Sequence, residues 1–213
     1  MQAEPSASGG PVALAGLVLC GGRSSRMGVD KALIEVGGQP LVLRAADILA
    51  RVADPVLLAT GQPGRLGALG YQEIGDERPD AGPLGGIVAG LAAAPHDLLA
   101  VLAVDLPFAS GPLFVLLARL SANHDAVVPL SGRGTEPLHA VYARRALPRL
   151  RAALRDGVWS MRRVLGGLRV REVEEPEWRA ADPSGRFAWN LNRREDLALV
   201  RREAPQGPSR EPR

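Results

Sequence analysis

Residues Val12 to Cys20 form an apolar run that ends abruptly on Gly21-Gly22. Runs of this length bounded by glycine suit a strand buried on both faces of a parallel sheet, and that constrains the fold more tightly than any other feature. The segment that follows, as far as Lys31, is polar and carries Arg23, Arg26 and Lys31. Glycines permit close backbone approach and unusual dihedrals, so amide N–H groups can converge on an anion. With cationic side chains placed over the same spot, such a loop is suited to holding a polyphosphate.

Two familiar phosphate motifs are excluded. Five residues separate Gly22 from Gly28 where a P-loop has four, and Val29-Asp30 intervene before Lys31. The dinucleotide fingerprint is also absent, because Gly21 and Gly22 are adjacent. An isolated Gly-Gly pair more often marks a surface turn with solvated arginines. One count weighs against that reading: of 26 lysines and arginines, Lys31 is the only lysine. Arginine serves nearly everywhere a cation is used, so position 31 calls for a compact ammonium, for which the planar guanidinium is no equivalent.

Downstream, short apolar runs alternate with helical patterns. Ala32 to Val36 reads as a short strand before Gly37-Gly38, and Leu41 to Val52 as a helix. Val56 to Thr60 and Tyr71 to Ile74 read as strands, Leu84 to Ala94 as a small-residue helix. Leu98 to Val104 is the most apolar run and the expected central strand. Helices are expected at Pro112 to Leu120 and Ala146 to Arg155, and strands at Ala126 to Leu130 and His139 to Tyr142. A short helix beyond Gly157, a strand near Leu168 to Val173 and a helix from Arg194 complete the pattern. Strands alternating with helices predict an α/β fold: a Rossmann-like, mostly parallel sheet with helices on both faces. A chain of 213 residues is expected to form one domain over 12–202, with a disordered leader at 1–11 and a disordered tail at 203–213 rich in proline and polar residues.

Composition narrows the function classes. The net charge of +3 is small, and no basic stripe interleaved with aromatics appears, which argues against nucleic acid as a partner. Arg144-Arg145 and Arg193-Arg194 read as solvated helix faces. Cys20 is the only cysteine, so no internal disulfide forms, and a cytoplasmic compartment is expected. It reads as a small core residue at a strand end. No apolar stretch approaches the ~20 residues that cross a bilayer, so no membrane partner is expected.

In open α/β sheets, ligands bind beyond the carboxyl ends of the strands. Three polar clusters fall there: Gly21 to Lys31, Asp76 with Gly82-Pro83-Leu84-Gly85-Gly86, and Asp105. A carboxylate directly after seven apolar residues is costly near the core unless paired or metal-bound. Alone, Asp105 reads equally as a turn or capping residue before Pro107. Beside a phosphate loop, a Mg²⁺ ligand is favoured.

At these residues the sequence resembles the molybdenum cofactor guanylyltransferase family. Leu19-Cys20-Gly21-Gly22-Arg23-Ser24-Ser25-Arg26-Met27-Gly28-Val29-Asp30-Lys31 is similar to its N-terminal signature, with Cys20 where alanine is usual. Gly82 to Gly86, Val104-Asp105-Leu106-Pro107, Glu136 to Tyr142 and Asn190-Leu191-Asn192 resemble later family segments. The resemblance implies Mg²⁺-dependent transfer of GMP from GTP to molybdopterin. It also implies partners among the proteins of molybdenum insertion and apo-molybdoenzyme maturation. Carried over by position, Leu19, Cys20 and Gly21 contact the nucleotide through backbone, Lys31 meets the phosphates, Asp76 helps bind guanosine, and Asp105 holds Mg²⁺. Beside them, Gly22 is a nucleotide-binding and Arg26 a catalytic candidate from the cationic glycine-bounded segment itself. A family asparagine aligns near Ala59-Thr60, which leaves Thr60 or its backbone to serve. His139, Asn190 and Asn192 fall on the acceptor side. The family's Asn-x-Asn-Thr-Pro reads Asn-Leu-Asn-Arg-Arg here. Cytidine-specific relatives carry Pro-Lys in place of Asp30-Lys31, so GTP is favoured over CTP. A cytidylyl- or sugar-phosphate-type nucleotidyltransferase and a non-catalytic GTP-binding adaptor for cofactor delivery are the competing readings.

Overall fold

The structure, a computed structural model, describes residues 12–21, 30–67, 69–78, 81–192 and 194–203. The expected leader, most of the expected tail, and the positions of Gly22, Arg23, Arg26 and Arg193 lie outside the described residues.

Ten strands are present among the described residues: β1 (Leu14–Leu19), β2 (Glu35–Val36), β3 (Gln39–Pro40), β4 (Val56–Gly61), β5 (Gln72–Gly75), β6 (Leu98–Ala103), β7 (Ala126–Ser131), β8 (Gly134–Thr135), β9 (His139–Ala143) and β10 (Val170–Val173). The helices are α1 (Leu41–Ala50), α2 (Gly82–Ala93), α3 (Gly111–Arg119), α4 (Leu147–Arg155), α5 (Met161–Gly166), α6 (Glu175–Trp178) and α7 (Arg194–Glu203). The main sheet has the order β10-β7-β9-β6-β1-β4-β5, with β8 paired to β7. β1 pairs in parallel with both β4 and β6, β4 with β5, and β7 with β10.

β9 runs antiparallel to its neighbours β6 and β7. The connection from β7 explains this reversal of the expected parallel direction. It is a tight turn through β8, with Gly134 at φ 104°, and is too short for the crossover a parallel return requires. Ala32 to Val36 also differs from expectation. Asp30 caps a 3₁₀ turn at Lys31–Leu33, and only Glu35–Val36 is strand.

The alternation of strand side chains divides the core into two layers. Leu14 and Val18 of β1, with Leu98, Ala100 and Leu102 of β6, pack beneath α1, α3 and the C-terminal segment. Ala15, Leu17 and Leu19, with Leu99 and Val101, pack beneath α2 and α4. Helices therefore cover both faces. Arg144, expected on a solvated face, instead donates to the carbonyls of Leu91, Ala94 and His96 and closes the end of α2.

Candidate active site

The chain leaves β1 for β4 on one side and later enters β6 on the other, so the topological switch lies at the carboxyl end of β1. Leu19 is in register with Ala103, which brings the segments after β1 and β6 out side by side. Asp105 follows β6 directly, in a turn where the Leu106 amide donates to the Ala103 carbonyl at 3.2 Å. Lys31 opens the 3₁₀ turn, held by a 3.0 Å bond from the Ala32 amide to Asp30 Oδ1. Lys31 Nζ lies 3.4 Å from Asp105 Oδ2 and donates to the Leu191 carbonyl at 3.0 Å. The Leu191 amide in turn donates to the Asp105 carbonyl at 2.8 Å. The fold thus joins three segments that are far apart in sequence. The Lys31 and Asp105 side chains stay 21% and 28% exposed, so their ion pair is reached by solvent.

The backbone at 19–21 is locked to its neighbours. The Cys20 and Gly21 amides both donate to the Ala59 carbonyl, at 2.9 and 3.0 Å, and the Leu19 carbonyl accepts from the Val104 amide at 3.2 Å. Cys20 is buried, and burial pushes its thiol up to about 12, so the side chain is no nucleophile. Thr60 is also buried, and its hydroxyl donates to the Gln62 carbonyl at 2.9 Å. This fixes the turn after β4.

Sequence reasoning missed Arg65. Its guanidinium donates to the Cys20 carbonyl at 2.7 Å and the Thr60 carbonyl at 3.0 Å, and pairs with Asp30. Its position in a glycine-rich turn at the carboxyl end of a core strand was the one available signal, and Leu191 gave none, since it acts through its backbone.

Asp76 is half-buried where β5 meets α2. A Cβ built on Gly85 would lie 3.3 Å from Asp76 Cγ, and one built on Gly86 would lie 3.7 Å from Oδ1. The glycine pair thus lets the carboxylate sit against the first turn of the helix. Desolvation raises its pKa above the ordinary carboxylate value.

The expected acceptor residues separate. His139 is fully buried; its ring stacks on Phe114 at 4.0 Å and its Nε2 accepts from the Ser110 amide at 3.1 Å. Burial pushes its pKa down to about 3. It belongs to the core and is withdrawn from the acceptor surface. Asn190 and Asn192 flank Leu191, half-buried and exposed respectively, beside Lys31 and Asp105.

Among the described residues no group of three or more His, Cys, Asp or Glu side chains could hold a metal. Asp105 would offer a cation one carboxylate, leaving the rest of its shell to water and phosphate oxygens. That donor set fits Mg²⁺ arriving with a nucleotide.

A mostly parallel sheet with ligand groups at its switch point is the layout of nucleotide-binding α/β domains. The chain belongs to the MobA-like NTP transferase domain family, whose description residues 16–173 match. It is 34% identical over 189 residues to the molybdenum cofactor guanylyltransferase of Desulfosudis oleivorans, covering 87% of this chain and 93% of that protein. It is 37% identical over 202 residues to a probable molybdenum cofactor guanylyltransferase of Opitutus terrae, covering 90% and 96%. Its fold is similar to molybdopterin-guanine dinucleotide biosynthesis protein A from Archaeoglobus fulgidus, with a TM-score of 0.78 at 24% identity over 88% of this chain and 97% of that one. It is similar also to 2-C-methyl-D-erythritol 4-phosphate cytidylyltransferase from Thermus thermophilus, with a TM-score of 0.63 at 20% identity, covering 87% and 96%.

Proposed function

We propose that this protein transfers GMP from GTP to molybdopterin and releases pyrophosphate, with Lys31 and Asp105 at the reacting phosphates. The observation that carries the reading is the meeting of Lys31, Asp105 and the Leu191 backbone at the switch point. A terminal phosphate oxygen of molybdopterin attacks the α-phosphorus of GTP, and the bond to the pyrophosphate oxygen breaks. The nucleophile is already an anion, so no general base is needed; transfer depends on positioning and charge stabilisation. Neither the buried thiol of Cys20 nor the buried imidazole of His139 enters the reaction. Lys31 steadies charge at the α-phosphate, and the Asp76 carboxylate with the backbone at 19–21 supports the guanosine. Asp105 would hold Mg²⁺, which supplies charge neutralisation along the polyphosphate. Asn190 and Asn192 extend the proposed surface; Gly22 and Arg26, proposed to bind the nucleotide, lie outside the described residues.

A cytoplasmic location and onward delivery to molybdenum insertion and apo-molybdoenzyme maturation proteins belong to the same proposal and rest on the family resemblance. No helix among the described residues is long and apolar enough to cross a membrane.

The test is pyrophosphate release from purified protein with Mg²⁺, molybdopterin and either GTP or CTP. Release with GTP well above that with CTP is expected. Equal rates would remove the guanine assignment. GTP binding without release would favour an adaptor. In the same assay Asp105→Asn should lose turnover while melting like the parent, because the amide keeps the shape and loses the charge. Substantial activity in that variant would mean another residue holds the metal.

A further inference from the structure

We propose that Arg65 is a positioning residue for the transfer reaction, a clasp that sets Lys31 by tying the backbone after β1 to the cap of the turn that bears Lys31. The inference rests on Lys31 being the phosphate-side cation. The turn that carries Arg65 is fixed independently of the site. Leu66 is buried in the core, the Gly64 amide donates to Glu73 Oε2 at 2.8 Å, and the Thr60 hydroxyl secures Gln62. From this base the guanidinium reaches back across the strand ends. Nε donates to the Thr60 carbonyl, one terminal nitrogen to the Cys20 carbonyl, and the other pairs with Asp30. Cys20 is the last buried residue before the loop, and Asp30 is the cap of the turn that begins at Lys31. One planar group therefore ties the backbone that follows β1 to the cap of the turn bearing Lys31.

The clasp does two things for Lys31. It fixes Asp30, whose Oδ1 receives the Ala32 amide, and so fixes where the turn bearing the ammonium starts. It also neutralises the Asp30 carboxylate. Left uncompensated beside Lys31, that carboxylate would draw the ammonium away from Asp105 or repel a polyphosphate. A lysine at position 65 can supply the charge but cannot reach three acceptors in one plane.

A double-mutant cycle on GMP transfer tests this, using Arg65→Ala, Lys31→Ala and the pair. Arg65→Ala should lower kcat about tenfold with the KM for GTP moving less than about threefold, the split expected when a contact in the transition state is disturbed. In the Lys31→Ala background, Arg65→Ala should cost less than about twofold, because its effect passes through the ammonium. Arg65→Lys should recover only part of the rate. Losses that multiply independently overturn the proposal, as does full recovery by lysine. A melting temperature lowered by more than about 3 °C in both Arg65 variants also overturns it, in favour of a merely structural tie. If Lys31→Ala itself keeps the parental rate, the reading of the site fails, an outcome distinct from additivity of the two losses.

Discussion

Lys31 occupies a place made for a point charge. Its ammonium sits between a carboxylate oxygen of Asp105 and the Leu191 carbonyl, two acceptors supplied by different segments. A guanidinium there would bring a longer, planar group whose fork favours one bidentate geometry over a moving phosphate. Lys31→Arg should therefore lower turnover by about a hundredfold, the ~3 kcal/mol typical of one lost preorganised contact. GTP affinity should change much less. Steady-state rates and GTP dissociation constants at one Mg²⁺ concentration decide it; a variant within about threefold of the parent would remove Lys31 from the catalytic machinery. Lys31 and Asp105 were visible as candidates in the sequence because each carries its charge in its own side chain beyond an apolar run, and the fold brings the two within 3.4 Å. Arg65 and Leu191 were not, because their roles consist of bonds to distant backbone atoms that only the folded sheet brings near. His139 misled for the converse reason: it has site-like chemistry, but its ring is fully buried and its Nε2 accepts from the Ser110 amide inside the protein.

At the scale of elements, α2 shows what a composition of small residues is for. The sequence pattern gives a helix there but not the reason for its glycines. A Cβ built on Gly90 would lie 2.6 Å from Leu17 Cδ2 and 3.0 Å from Leu99 Cδ2, and both leucines are fully buried. One built on Gly86 would lie 2.7 Å from Leu19 Cδ2. The helix thus lies directly on the sheet at the strands that end in the site, and its first turn reaches Asp76. Gly90→Ala would gain about 1 kcal/mol of helix propensity, but overpacking a buried contact costs about 1–3 kcal/mol, so a net loss of stability is expected. Gly166, at the exposed end of α5, has no atom within 4 Å of a built Cβ. Gly166→Ala should be neutral or stabilising by up to about 1 kcal/mol. Urea midpoints of the two variants provide the comparison, and a Gly90→Ala protein as stable as its parent would show that the contact relaxes freely. The major helices and strands were legible from periodicity, whereas the direction of β9 was not. Residue pattern is the same in both directions, and only the brevity of the turn through β8 fixes it.

At the scale of the whole molecule, the core layer beneath α1 and α3 reaches the site through an aromatic cluster centred on His139. Its ring stacks on Phe114 of α3 and meets the edge of Phe187 at 5.1 Å, and Phe187 packs against Trp178. Trp178 Nε1 donates to the Leu130 carbonyl at 2.9 Å. The cluster pins the C-terminal segment over the sheet, and that segment delivers Leu191 to Lys31. His139 must stay neutral to occupy this place, and burial pushes its pKa from 6.5 down to about 3. Below pH 6.5 the unfolded chain takes up a proton at this histidine that the folded protein refuses. The stability tied to the neutral ring is therefore complete above that pH and is lost progressively as pH falls toward about 3. At pH 5 the loss should already reach ~2 kcal/mol, since each unit below the unfolded pKa is worth about 1.4 kcal/mol. His139→Phe keeps the stack on Phe114 and removes the titration. It leaves the Ser110 amide unpaired but also removes the buried Nδ1, which has no hydrogen-bond partner among the described residues, two opposing effects of about 1–3 kcal/mol each. The variant should be close to the parent in stability at pH 8 and should gain on it as pH falls to 5. Urea unfolding of both proteins across this range isolates the contribution of His139, because other titrating groups affect the two equally. Parallel stability curves from pH 8 to 5 would show that the imidazole is protonated as readily in the folded protein as in the unfolded chain.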